Sequence, residues 1–139
     1  MTVAANVRAR FGHQSLGNVG PVPISAVLRF GVAIAVAMDF WAALLHGRVW
    51  HGRLWSVHRS HHTARTGTFE RNDVLSTLHA PIAIALILYG CAAAPSVVRE
   101  IAFGAGVGMT AFGLAYVFVH DGLVHGRLPV RGLLRIPYL

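Results

Sequence analysis

The chain has 139 residues, 55% of them hydrophobic, with a formal net charge of +7, a length that bounds it to one domain. All twelve positive charges are Arg, set against five acidic residues, and their confinement around long uncharged runs excludes a soluble nucleic-acid-binding domain. A single cysteine, Cys91, excludes an intrachain disulfide and a thiolate metal site within one chain.

Residues 1–23, with Gly12, Gly17, Gly20, Pro21 and Pro23, read as a flexible lead-in to one domain over 24–139. The next run, Ile24–Leu45, is too long for a secretory signal and contains Asp39. At about 1.5 Å per residue, roughly 20 helical residues cross a ~30 Å hydrocarbon core, so this run is long enough to span. Arg29 lies near its end and can snorkel. Asp39 cannot, which makes it a functional candidate. Its expected role is orienting an imidazole N–H, with pairing to Arg29 as the alternative.

A basic segment follows, carrying Arg48, Arg53, Arg59, Arg65 and Arg71. Two further apolar runs, Val74–Val98 and Ile101–Val119, are predicted as the second and third spans. Arg127, Arg131 and Arg135 come after the last. Three spans put both Arg-rich segments on one face, which the positive-inside rule makes cytoplasmic; Arg8 and Arg10 on the other side run against that rule. The class expected is thus an all-α integral membrane protein. Gly104, Gly106, Gly108 and Gly113 give the third span a small-residue face for close helix approach. Packing within the chain is the favoured use, with a homo-oligomer contact as the alternative.

Nine histidines are present, and seven form three clusters. His46 and His51 begin at the end of the first span, and His58, His61 and His62 follow in the basic segment. His120 and His125 begin at the end of the last span. The topology draws all three to the cytoplasmic ends of the helices. A helix over roughly 50–63 would align His51, His58, His61 and His62 on one stripe. The pairs five apart need a bend or helix end, which Gly47, Gly52 and Gly122 would allow. Neutral imidazole ligates Fe, Zn, Cu and Ni, so a metal site is predicted there. His13 and His79 are read as non-ligands. Glu70, Asp73 and Asp121 lie beside the clusters as candidates for orienting ligands, gating substrate, or capping helices.

The string His120-Asp-Gly-Leu-Val-His125, preceded by Met109–Tyr116, resembles the bacterial β-carotene hydroxylases, within the fatty acid hydroxylase and sterol desaturase superfamily. The likeness extends through His46-x4-His51, His58-x2-His61-His62 and Phe69-Glu-Arg-Asn-Asp73, and Asp39 falls where the family has an acidic residue. It covers roughly residues 36–139. The resemblance implies a non-haem di-iron oxygenase of the bacterial inner membrane. Two irons held by the seven histidines, dioxygen and electrons from ferredoxin or a similar donor would insert oxygen into a carotenoid ring, β-carotene toward zeaxanthin. Hydroxylation of another lipid, fatty acyl or sterol, is the alternative within the same chemistry. The family pattern continues beyond the position of Leu139 into a further H-x-x-H-H box. The expectation drawn from this is a fragment, or a truncated homologue that is inactive, non-enzymatic or completed by another chain.

Overall fold

The computed structural model describes residues 20–63, 69–130 and 132. Most of the expected lead-in, together with His13, Arg65, Arg131 and Arg135, lies outside the described residues. Those described form helices and turns without a strand. Helix α1 spans Ile24–Leu44 and continues as a π-helical stretch, Leu45–Arg53. Short α2, Trp55–His58, passes into a 3-10 turn over Arg59–His62. Then come α3, Asp73–Thr77, α4, Ala80–Ala92, and α5, Val97–Tyr116, which also ends in a π-helical stretch, Val117–Val124.

Among the described residues, three helical stretches are long and apolar enough to cross a membrane: Ile24–Arg53, Asp73–Ala92 and Val97–Val124. The second stops earlier than the apolar run suggests, at Ala92 rather than Val98. Pro95 lies in the break, and Ser96 restarts the chain as the N-cap of α5, its hydroxyl accepting from the Arg99 N–H. Arg99 and Glu100 therefore enter the first turn of α5.

The packing is inverted relative to a water-soluble core. Large apolar side chains such as Ile24, Phe40, Leu88 and Leu114 face outward, while Ala26, Gly31, Ala83, Ala102, Gly104, Gly106 and Gly108 are buried between helices. Lipid tails offer no hydrophobic gain on helix association, so backbones must approach closely enough for dispersion to hold them. Helix α5 is central, with α1 and α4 packed on it. Gly104 and Gly108 meet α1 at Ala26, Phe30 and Gly31, whereas Gly106 meets α4 at Ala83 and Ile87. Three of the four glycines expected to form a contact face are thus used within the chain. The antiparallel order brings the end of α1, the start of α3 and the end of α5 to one end of the bundle.

Candidate metal centre

The π-helical stretches account for the five-residue histidine spacing. An i→i+5 turn brings residues five apart close together, which a regular α-helix does not. The His125 N–H donates to the His120 carbonyl (3.0 Å), and Leu54 N–H donates to the Val49 carbonyl (3.0 Å). His46 and His51 consequently place their Nε2 atoms 3.1 Å apart. Gly52 alone leaves helical geometry, at φ −99° and ψ −106°, and turns the chain into α2.

The predicted four-imidazole stripe is not what forms. His46, His51, His58 and His62 make one group; His61, His120 and His125 make another. Consecutive residues of a 3-10 turn point about 120° apart at 3.0 residues per turn, so His61 and His62 diverge. His62 Nε2 stays 3.1 Å from His58 Nε2, while His61 Nε2 lies 3.3 Å from His120 Nε2. The groups adjoin, with the rings of His58 and His61 5.7 Å apart.

The spacing of donor atoms fits a shared cation. Within each group the candidate ligand atoms lie within 4.8 Å of one another. With metal–nitrogen bonds of about 2.0–2.1 Å, two imidazoles on one ion stand about 2.9 Å apart at right angles and about 3.4 Å apart at tetrahedral angles. The observed pairs, 3.1 to 3.3 Å, fall in that interval.

Three rings are also turned from behind, leaving Nε2 for the centre. His58 Nδ1 donates to Asn72 Oδ1 at 2.6 Å, His120 Nδ1 donates to Asp121 Oδ1 at 2.9 Å, and His61 Nδ1 faces Glu70 Oε2 at 3.5 Å. An oxygen acceptor on one ring nitrogen fixes the tautomer and presents the other as a ligand. Asn72 is itself held, its backbone N–H donating to Ser60 Oγ. Burial pushes the pKa of His58 down, against the opposing pull of the Asn72 bond. His61 and His125 are lowered as well, by burial first and then by neighbouring imidazoles. Each is thereby favoured in the neutral form that ligates.

Asp121 and Glu70 each face an imidazole. Asp73 reaches the site through Arg127, whose two terminal nitrogens lie 2.8 and 2.7 Å from its carboxylate. Arg127 also contacts Asp121 at 3.3 Å, and hydrogen bonding to Asp73 holds its pKa above the ordinary value. Asp39 is different. It is exposed and reaches neither group, while Arg29 turns to the Ser25 carbonyl. The expected orienting role for Asp39, and its pairing with Arg29, are not seen in the fold. His79 stands apart from both groups, accepting from Trp41 Nε1 at 2.9 Å.

Two residues were missed. Asn72 lies inside the quoted Phe69–Asp73 string but carries no charge to mark it. Tyr116 stacks on His120, with ring centroids 4.5 Å apart, and also lines an apolar cavity of about 580 Å³. Trp41, Trp50, Asp73, Gly113 and Asp121 share that lining. Tyr116 therefore links the His120 ring to an apolar space within the bundle.

The chain is 46% identical over 123 residues to a protein of Arabidopsis thaliana named beta-carotene 3-hydroxylase 2, chloroplastic, covering 88% of this chain and 40% of that one. It is 39% identical to the beta-carotene 3-hydroxylase of Haematococcus lacustris, over 91% of this chain and 40% of the relative. With the beta-carotene hydroxylase of Pseudescherichia vulneris it shares 45% identity over 75% of this chain and 56% of the relative. The chain thus spans 40% to 56% of the length of these curated relatives. No protein-family model matches it, and no solved structure does.

Proposed function

We propose, since this chain belongs to the β-carotene hydroxylase family, that it forms part of a membrane oxygenase hydroxylating the β-ionone end ring of a carotenoid, β-carotene toward zeaxanthin. The observation that carries this reading is Tyr116, which lines the apolar cavity and stacks on His120, a member of one of the two imidazole groups. An apolar substrate dissolved in the bilayer meets such a site without crossing water.

The residues that would hold iron are His46, His51, His58 and His62 in one group, and His61, His120 and His125 in the other. Iron held there would supply reductive activation of dioxygen: with two electrons from a ferredoxin-like donor and two protons, one oxygen atom would enter a ring C–H bond as hydroxyl and the other would leave as water. Zinc, lacking redox chemistry, does not serve. Asn72, Asp121 and Glu70 aim the imidazoles, while burial favours the neutral form of His58 and His61. Apolar cavity walls keep water from the reacting ring.

Arg48, Arg53 and Arg59 are exposed around the histidine end. They offer a basic face for an acidic electron donor and favour a cytoplasmic placement of that end in a bacterial inner membrane. The test is expression of the full-length protein in a host that accumulates β-carotene. Ring-hydroxylated carotenoid is expected, and none from His58→Ala. Recovery of only unmodified β-carotene by an iron-loaded protein rejects the substrate.

A further inference from the structure

Helices α1 and α4 each pack on α5 but not closely on one another, so a groove runs between them with α5 as its floor. Among the described residues, one side-chain hydrogen bond crosses it, from Trp41 Nε1–H on α1 to His79 Nε2 at the start of α4. Indole N–H only donates, so Nε2 of His79 must be the bare, accepting nitrogen. Two threonines of the same lining are turned to backbone: Thr110 donates to the Gly106 carbonyl and Thr77 to the Asp73 carbonyl. The floor is bare at Gly113, which lines the cavity and has nothing within 4 Å of where a Cβ would stand.

Bridge and bare floor lie at similar depth. Trp41 precedes His46 by five residues, Gly113 precedes His120 by seven, and His79 follows Asn72, the partner of His58, by seven. At about 1.5 Å per residue, all three lie about 7–11 Å below the histidines and the Asn72 that orients His58.

We infer that the Trp41–His79 bridge and the floor at Gly113 frame a slot through which the apolar chain of the substrate threads, seating only the end ring beside the histidines. This rests on the carotenoid reading above. The slot makes substrate length and slenderness a matter of three residues remote from the metal ligands. Polyene chains pass; broad apolar molecules do not.

The test uses full-length protein in lipid nanodiscs, titrated with β-carotene and separately with β-ionone, a ring without the long chain, by quenching of indole fluorescence. Wild type should bind both. Gly113→Leu should weaken β-carotene binding at least tenfold and leave β-ionone binding within threefold, which also reports that the fold is intact. Adding His79→Ala to Gly113→Leu reopens the slot from the opposite side and should return at least threefold of the lost β-carotene affinity. The slot is overturned if Gly113→Leu binds β-carotene as wild type does, if both ligands are lost equally, or if the double variant recovers nothing. Wild type that binds neither ligand contradicts the carotenoid reading itself, and the slot with it.

Discussion

His58 has no exposed surface, and its Nδ1 donates to the Oδ1 of Asn72 at 2.6 Å in an equally enclosed position. That bond fixes which nitrogen of His58 faces His46, His51 and His62. Asn72→Leu leaves the buried N–H without its acceptor, at a cost of about 1–3 kcal/mol. It also frees the ring to rotate, and loss of such an orienting partner lowers metal affinity about 10–100-fold. Metal titration of the purified variant in detergent checks this. Unchanged affinity would show that packing alone orients His58.

Arg127 joins Asp73 at the start of α3 to Asp121 beside His120. Arg127→Ala leaves the two carboxylates without their shared guanidinium and releases the Asp121 contact that holds His120. A loss of about 1–3 kcal/mol is expected for charged hydrogen bonds at this partial burial. It should appear as a lower midpoint of thermal unfolding together with weakened metal binding. Arg127→Lys should recover only part, since a single ammonium cannot reproduce the two-nitrogen contact with Asp73.

Two glycines of α5 should respond oppositely to the same methyl group. A Cβ on Gly108 would collide with the Gly31 carbonyl of α1, backbone against backbone. Gly108→Ala is predicted to destabilise by about 1–3 kcal/mol or to separate the helices. Gly113→Ala meets nothing within 4 Å and should be neutral or gain about 0.5–1 kcal/mol from helix propensity. Thermal stability followed by size-exclusion chromatography distinguishes them.

At the opposite end of the bundle, Arg99 is only 5% exposed and donates to the carbonyls of Gly90 and Gly20. Arg99→Met keeps the length but strands both carbonyls, at about 1–3 kcal/mol apiece where they stay dry. The variant should unfold at lower temperature while retaining the affinity of the distant histidine groups for metal. A matching loss of metal affinity would mean that the two ends of the bundle are coupled.

Apolar run length was enough to read three spans, because backbone satisfaction in lipid demands long uninterrupted helices. The seven clustered histidines were legible for a similar reason: so many imidazoles beside apolar runs have few other uses. Their partition was not. Residue spacing assumes a regular α-helix, and the bundle departs from one at Leu45–Arg53 and Val117–Val124, where i→i+5 turns bring five-apart residues together. His61 and His62 had to separate once two groups formed, since neighbours on a helix cannot face one centre. Asp39 drew notice by its charge within an apolar run, yet it is exposed. Asn72, uncharged, is the residue that orients His58. Arg99 was hidden because Pro95 and Ser96 end one helix and begin the next inside what reads as nearly continuous apolar sequence.

The iron-to-chain ratio of the full-length protein purified from iron-replete membranes tests the central claim most directly. Two separate groups of imidazoles suited to redox iron predict about two irons per chain. His46→Ala with His62→Ala should remove about one, and His61→Ala with His125→Ala about the other. Wild-type protein that holds zinc or no metal, or whose iron is untouched by both pairs of substitutions, contradicts the account.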